Sequence, residues 1–380
     1  MNSASKPSDP FSVVIAGGGV AALEAALALR DLGGERLRTT LIAPNADFVY
    51  RPMAVREPFA YSRAQRHPIA EIAADVGAEL IVDAFASLNA AERLARTESG
   101  ADIPYDALLL ALGARPHARF PAAVTVDDTR LDELMGGLLE DVDGGYIHQL
   151  AFVIPARVAW PLPIYELALM TATRAHEMNV EVAITIVTPE QAPLAIFGEG
   201  ASSGVSALLD QRGITVITSA HCEVPDSRHV AINPGDRAID ADRVIALPEL
   251  YGPAVRGLIA GAHGFIPVDV HSAVAGAQAV YAAGDATDFE LKHGGIAAAQ
   301  ADAAAESIAA LAGLPVEPAP FHPVIHGILL TGEAPRYLSA RFTGGRGFSS
   351  EFTLEPTWSP PTKIVARYLA PYLEALDQRS

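Results

Sequence analysis

The sequence predicts an α/β fold with doubly wound parallel sheets, because apolar runs of strand length alternate with helical stretches along the chain. The first unit is the clearest: residues 13–16 are continuously apolar, Gly17-Gly18-Gly19 follows, and residues 20–32 have apolar positions at helical spacing. A second strand at 39–42 completes a βαβ unit. Further strand-like runs lie at 80–82, 107–112, 151–154, 180–187, 214–217, 244–246 and 279–282.

These elements group into two units and a tail. Residues 1–120 and 271–317 are predicted to form one discontinuous nucleotide-binding unit, whose second part is an apolar strand and a long alanine-rich helix. Residues 148–270 are predicted to form a second unit that also contains βαβ elements. Residues 318–380, richer in proline, glycine and aromatic residues, are expected to be an appended segment.

Composition excludes several classes of function. Half of the 380 residues are hydrophobic, so a large core is expected, and the formal net charge of -18 repels phosphate backbones, so no nucleic-acid partner is expected. The one cysteine, Cys222, allows no intrachain disulfide, no Cys-x-x-Cys pair and no cysteine-built metal site. The longest apolar stretch, 150–170, is interrupted by prolines and charged residues, so a cytoplasmic protein without a membrane span is expected.

The turn after the first strand has the pattern Gly17-x-Gly19-x-x-Ala22, which is typical of dinucleotide-binding units. Gly17 permits the tight turn, Gly19 lets the backbone approach a pyrophosphate, and Ala22 allows close helix–strand packing. The acidic residue that usually ends the second strand is replaced by Ala43, so a ribose contact would come from Asn45, a backbone group or a water. A purely structural glycine turn is the alternative.

Two further segments contain glycines after apolar runs. Residues 280–285 end in Gly284-Asp285, and residues 105–116 contain Ala111 and Gly113. Together with the first turn they resemble the FAD-binding signatures of the pyridine nucleotide–disulfide oxidoreductase superfamily, whose glutathione-reductase-like fold has two Rossmann-like domains. The resemblance implies that Asp285 hydrogen-bonds the ribityl chain of FAD and that the other three residues line the cofactor site. A helix N-cap is the alternative role for Asp285.

Residues 292–300 look like the helix of that family whose N-terminal end points at the flavin pyrimidine. The resemblance implies that the backbone N–H groups of Gly295 and Ile296 would stabilise the reduced, anionic ring. Lys292 is the candidate catalytic residue, because an ammonium beside the ring would favour reduction. A solvated loop lysine is the alternative.

Three segments sharpen the resemblance. Phe48-Val49-Tyr50-Arg51-Pro52, residues 160–168 and residues 264–269 look like sulfide:quinone oxidoreductases and type II NADH dehydrogenases. The similarity covers most of residues 12–315 and adds Arg51 to the candidate FAD-binding residues.

Two departures from the family bear on how electrons enter. Disulfide reductases and sulfide:quinone oxidoreductases use a cysteine pair beside the flavin, which the lone Cys222 cannot supply. In the second unit, matching Glu166 to the family's glutamate puts Ala159, Pro161 and Ile164 at the three glycine positions, and proline has no N–H to donate. NAD(P)H in the standard pose is therefore not expected, and an atypically bound nicotinamide stays open.

The tail has one further pattern of interest. Residues 361–376 place apolar side chains at helical spacing beside Lys363 and Arg367, which predicts an amphipathic helix. The resemblance implies peripheral membrane contact, and docking on its own domain or on the second subunit of a homodimer is the alternative. His322 and His326 flank Pro323, which argues against a helix, so no metal site is predicted.

The sequence thus predicts an FAD-dependent oxidoreductase in which a non-covalently bound flavin performs the redox step. Electrons would enter from a small molecule or an atypically bound nicotinamide and leave to a quinone, a protein carrier or oxygen. One alternative is a quinone reductase of the sulfide:quinone type, peripheral at the inner face of the membrane. The other is a flavin-binding protein with a sensor or partner-binding role and little turnover.

Overall fold

The structure, a computed structural model, describes residues 10–61, 63–344 and 347–378. Its α-helices within those ranges are α1 (Val20–Gly33), α2 (Ile69–Val76), α3 (Leu131–Asp143), α4 (Leu162–Glu177), α5 (Gly198–Gln211), α6 (Gly294–Leu311) and α7 (Leu369–Asp377). None of them is both long and apolar enough to span a bilayer.

Strands occur throughout the described chain. The first ten are β1 (Phe11–Ala16), β2 (Leu37–Ile42), β3 (Asp47–Val49), β4 (Arg66–Pro68), β5 (Glu79–Ile81), β6 (Phe85–Asn89), β7 (Leu94–Thr97), β8 (Asp102–Pro104), β9 (Ala107–Leu110) and β10 (Arg115–His117). The next ten are β11 (Val124–Thr125), β12 (Gln149–Val153), β13 (Ala183–Val187), β14 (Thr215–Ile217), β15 (His221–Asp226), β16 (His229–Asn233), β17 (Arg237–Asp240), β18 (Arg243–Ala246), β19 (Glu249–Tyr251) and β20 (Val280–Ala282). The last three are β21 (Val324–Leu329), β22 (Arg336–Gly344) and β23 (Gly347–Thr353).

The first sheet has the order β20-β9-β1-β2-β5, and its strands pair in parallel. Its central strand β1 is apolar and buried because sheet neighbours lie on both sides and helices cover it. The helices α1 and α6 pack on each other through alanines, whose small side chains allow close approach. The predicted α/β class and the strand–glycine–helix unit at the start of the chain are confirmed.

The second sheet is also parallel, in the order β11-β18-β12-β13-β14. Its elements begin with β11 and α3 rather than at residue 148, because β11 pairs with β18 and α3 packs in the same core as α4. The stretch after β19 leaves this unit, since Val255 and Ile266 pack under the first sheet. The two units therefore divide the chain at places other than the predicted boundaries.

The C-terminal segment contacts both units. The antiparallel sheet β21-β22-β23 packs on the second unit, where Phe352 lies over Gly204 of α5 and Phe197 lies over Gly327 of β21. The helix α7 packs on the first unit, against a cluster that includes Phe48 and Ile72.

The prediction of one amphipathic helix over residues 361–376 is wrong in its first half. The helix begins only at Leu369, and residues 361–368 form an irregular strap. The apolar residues of both parts face the protein: Ile364, Leu369 and Leu373 are at most 5% exposed. Burial on the chain's own first unit therefore accounts for the apolar stripe that the sequence shows.

Candidate functional site

Four loops meet at the carboxyl edge of the first sheet. Because its strands are parallel, the turns that follow β1, β2, β9 and β20 all leave the same edge. Those turns contain the predicted residues Gly17 and Gly19, Asn45, Ala111 and Gly113, and Gly284 and Asp285. The topology therefore brings together most of the candidate residues that lie far apart in the sequence.

The glycine turn leaves the N-terminus of α1 open. Gly17 has φ +137°, and a Cβ there would lie 2.2 Å from the carbonyl oxygen of Ala111, so only glycine fits. A Cβ on Gly19 would meet no atom within 4 Å, which means that open space lies in front of the helix. No side chain caps α1, and its first turn has no acidic residue. Uncapped N–H groups facing open space form a site for an anion such as a pyrophosphate.

Around that turn, Ala22 is fully buried in α1 and packs with the core, as its predicted role requires. Asn45 is exposed at the end of β2, within the same edge. Gly284 has φ +76°, and a Cβ there would press on Ala21 and Ala297, so the turn after β20 is held tightly between α1 and α6.

Asp285 projects from that tight turn without a protein partner. Among the described residues, no group donates a hydrogen bond to its carboxylate, although the side chain is half-buried. Burial raises its pKa, whereas Lys292 and Arg51 oppose that rise. A carboxylate that is withdrawn from water and lacks a donor fits a ligand with hydroxyl groups, such as the ribityl chain of FAD.

Lys292 lies near Asp285, but its ammonium is engaged with backbone. Its Nζ donates to the carbonyl oxygens of Thr287 at 2.5 Å and Phe289 at 2.6 Å, and it lies 4.1 Å from the centre of the Phe265 ring. Burial lowers its pKa to about 8. The side chain therefore contributes a fixed positive charge to this edge and steadies the loop that follows Asp285.

The N-terminus of α6 differs from the expected arrangement. His293 is its N-cap, and its Nδ1 accepts a hydrogen bond from the Gly295 N–H at 3.2 Å. Of the two predicted residues, Ile296 keeps an N–H without a partner among the described residues, whereas that of Gly295 is taken. Burial, with His326 and Lys363 nearby, lowers the pKa of His293 to about 3, so the imidazole is neutral and can accept.

Arg51 is held by an acidic residue that the sequence reasoning missed. Its guanidinium is 3.1 Å from the carboxylate of Asp128, and both groups interact electrostatically with Asp285. Asp128 lies in the loop before α3, a region between the two predicted units. Its only sequence signal is an Asp-Asp pair in a polar loop, which does not distinguish it from a surface turn.

At the carboxyl edge of the second sheet, several side chains contact one another. Pro161, which has no N–H, precedes α4, and the Trp160 ring packs 4.4 Å from that of His293. Glu190, in the loop after β13, accepts hydrogen bonds from the Tyr165 hydroxyl at 2.7 Å and the Thr188 hydroxyl at 3.0 Å. The carboxylate of Glu190, the acidic side chain in the loop directly after β13, is therefore bound within the protein.

The lone cysteine is unsuited to redox chemistry. Cys222 lies in β15, is 8% exposed, and packs with apolar residues such as Val230 and Ile232. Burial raises the pKa of its thiol to about 12, so the reactive thiolate is absent near neutral pH. His326 lies in a strand rather than a helix, and the described residues contain no group of metal-binding side chains.

A buried ion pair fixes the strap beside α6. Lys363 donates to both oxygens of Glu166 in α4, at 2.6 and 2.8 Å, and to the Pro52 carbonyl oxygen. Lys363 is 7% and Glu166 1% exposed. The pair was missed because a lysine in an apolar stripe resembles a membrane-facing charge, and only the tertiary structure shows its partner.

Comparisons with known proteins agree with this arrangement. Residues 11–135 match the family model described as pyridine nucleotide-disulphide oxidoreductase. The solved sulfide:quinone oxidoreductase from the hyperthermophilic bacterium Aquifex aeolicus is similar with a TM-score of 0.80 and 19% identity, over 97% of this chain and 90% of that chain. A ferredoxin reductase from Rhodopseudomonas palustris is similar with a TM-score of 0.68 and 20% identity, over 91% and 88%.

An NAD-dependent persulfide reductase from A. fulgidus is similar with a TM-score of 0.63 and 18% identity, over 88% of this chain and 64% of that chain. A search of curated protein sequences found no match. Residues 11–135 are thus similar in sequence to the pyridine nucleotide-disulphide oxidoreductase family, and the fold of the chain is similar to that of these solved structures.

Proposed function

We propose that this chain is an FAD-dependent oxidoreductase whose flavin is its only redox group. The observation that carries the proposal lies at one sheet edge. There an uncapped helix N-terminus in front of open space is paired with a carboxylate, that of Asp285, to which no described residue donates. The first fits a pyrophosphate and the second fits sugar hydroxyls, which together describe a dinucleotide. FAD, when bound, supplies the electron-accepting ring system.

In this proposal the chain's residues bind and orient the cofactor. The N–H groups of the Gly19 turn hold the pyrophosphate, and Asp285 accepts hydrogen bonds from the ribityl hydroxyls. With FAD bound, the Ile296 N–H and the positive end of α6 would favour negative charge on the ring. The fixed charge of Lys292 acts in the same direction from the loop after Asp285, and Arg51 balances the acidic residues of the edge.

Two features of the chain limit the classes of electron donor that we propose. The lone, buried Cys222 argues against a cysteine relay of the kind used for sulfide. Pro161 and the internally bound Glu190 argue against NAD(P)H in the standard pose on the second unit. We therefore propose a small-molecule donor that reaches the flavin directly, with a quinone or a ferredoxin-like protein, the partners named for the similar structures, as acceptor classes.

A single-residue change tests the cofactor assignment. A Cβ on Gly19 touches no protein atom and its φ of -93° suits any residue, so Gly19→Val should fold normally while its side chain fills the ligand space. We expect FAD affinity to fall by at least about tenfold, measured as quenching of flavin fluorescence on titration with protein. Gly137→Ala in α3, where a Cβ also meets nothing within 4 Å, is the matched control.

The proposal fails if the wild-type protein takes up no FAD, or if Gly19→Val binds FAD as tightly as Gly137→Ala does. A protein that binds FAD tightly but is reduced by no donor class would instead support the flavin-binding alternative with a sensor or partner-binding role.

A further inference from the structure

Two carboxyl groups meet inside the first unit beneath the N-terminus of α7. Glu24 of α1 is fully buried, and its two oxygens accept the backbone N–H groups of Tyr368 at 2.9 Å and Leu369 at 2.5 Å. Asp302 of α6 lies next to it, within hydrogen-bonding range of its side chain. The other oxygen of Asp302, Oδ1, is buried without a partner among the described residues.

Ionising both carboxyl groups of the pair would place two negative charges side by side in a buried position, where they repel each other. Burial raises the pKa of Glu24, but two backbone donors oppose that rise, because an uncapped helix N-terminus is complemented by a carboxylate. The neighbouring Asp302 has no such donors, and burial together with the charge of Glu24 raises its pKa to about 8. Near neutral pH Asp302 therefore keeps its proton and donates it to Glu24 in a hydrogen bond.

The charged groups around the pair are few. Arg367 of the strap lowers the pKa of Asp302, and Glu306, one turn further along α6, raises it. These two face each other at 3.6 Å. The Tyr368 hydroxyl lies nearby and donates at 3.3 Å to Asp31 of α1 at an exposed position. None of these groups donates a hydrogen bond to Asp302, so they modulate its titration without replacing the pair.

The strap of residues 361–368, which adjoins α7, covers the start of α6. Upstream of α7, Ile364 packs directly on Gly294, and the Val365 carbonyl lies over Gly295. The Ile364 N–H is bound by the Tyr50 hydroxyl at 2.8 Å. Loss of the hydrogen bonds to Glu24 would therefore free the N-terminus of α7 and loosen the strap over the first turn of α6.

We propose that Glu24 and Asp302 form a proton-dependent latch that holds α7 and the adjoining strap on the first unit and weakens as the pH rises. In the docked state the carboxyl of Asp302 is protonated; in the undocked state it is exposed to water and titrates near its ordinary value. Docking therefore takes up one proton across the range between those values. The latch is tightest at and below the ordinary pKa of an aspartate, weakens as the pH rises through neutrality and levels off above about pH 8.

Hydrogen–deuterium exchange of the full-length protein tests the latch at peptide resolution. At each pH between 6 and 9, the intrinsic exchange rate of each peptide covering 363–377 is divided by its measured rate. This ratio is the protection factor. We expect wild-type protection of these peptides to fall by at least about tenfold over this range, since one proton linked to docking gives up to about tenfold per pH unit. Peptides of β1 should show no comparable change.

Asp302→Asn supplies the decisive variant. Its amide donates to Glu24 as the protonated acid does but does not titrate, so protection of 363–377 should become independent of pH. Asp75→Asn is the matched control: Asp75 accepts from the Tyr372 hydroxyl of α7 at 2.8 Å on the exposed side, and its loss should leave the pH dependence intact.

The latch is refuted if wild-type protection of 363–377 is constant between pH 6 and 9, or if Asp302→Asn retains the wild-type dependence. Abolition of the dependence by Asp75→Asn would equally assign it to another group. The wild-type series is decisive even where a variant folds poorly, and the inference does not depend on which cofactor the protein binds.

Discussion

The carboxylate of Asp285 is partly buried among the turns at the carboxyl edge of the first sheet. It follows a buried strand, lies in a turn held by Gly284, and has no hydrogen-bond donor among the described residues. By contrast, the carboxylate of Glu24 accepts hydrogen bonds from two backbone N–H groups within the protein. A carboxylate left without donors in a partly buried position is retained for a ligand more readily than for stability.

We predict that Asp285→Ala lowers FAD affinity by about ten- to a hundredfold, because hydrogen bonds to a charged group are worth about 1.5–3 kcal/mol. The dissociation constant is measured by flavin fluorescence, with thermal unfolding as the check on folding. Asp288→Ala is the control, since Asp288 is an exposed carboxylate three residues further along the same loop. Equal affinities for the two variants would contradict the assigned role.

We predict that the Cys222 thiol is unreactive in the folded protein. With its pKa raised to about 12 by burial, about one thiol in ten thousand is ionised at pH 8. The native protein should therefore not react with a thiol reagent such as Ellman's reagent until it is unfolded, and Cys222→Ala should leave the rate of flavin reduction unchanged. Rapid modification of one thiol in the native protein, or a variant that cannot be reduced, would overturn this account.

Among the elements, the strap of residues 361–368 could not be predicted from the sequence. Its apolar residues fit a helical spacing, but Ile364 and Ala366 are buried two apart, as in extended chain, and Lys363, directly before them, is buried as well. A lysine is expected to be exposed unless a buried partner is known. The partner of Lys363, Glu166, is 197 residues away in sequence, so no local pattern indicates it. The strands and the glycine turns, by contrast, are local patterns, and the sequence predicted them well.

We predict that Glu166→Gln destabilises the protein by about 3–5 kcal/mol, because it leaves the Lys363 ammonium buried without its counter-charge. The double variant with Lys363→Met should lose less than the sum of the two single variants, which a double-mutant cycle of unfolding free energies measures. As a control for an exposed pair, Asp102→Asn beside Arg96 should leave the free energy of unfolding nearly unchanged. Additive losses in the buried pair would show that its members act independently.

At the scale of the molecule, two similar sheets differ at their carboxyl edges. The edge of the first presents an open helix N-terminus and a carboxylate without a donor among the described residues. At the edge of the second, Pro161 precedes the helix, Trp160 packs on His293, and Tyr165 donates to Glu190. The sequence predicted the first edge from its glycines and the loss of glycines in the second. It could not predict the internal use of Glu190 or the pairing of Arg51 with Asp128, because those contacts join side chains from separate loops.

The central claim is that this chain carries a redox-active flavin that nicotinamide does not reduce through the second unit. An anaerobic absorbance titration of the FAD-loaded protein tests it most directly, with the flavin band near about 450 nm as the signal. We predict that dithionite bleaches the band fully, whereas stoichiometric NADH or NADPH leaves it unchanged over minutes. Fast, stoichiometric bleaching by either nucleotide would show that nicotinamide reduces the flavin despite Pro161, and a protein that takes up no FAD would contradict the proposed cofactor itself.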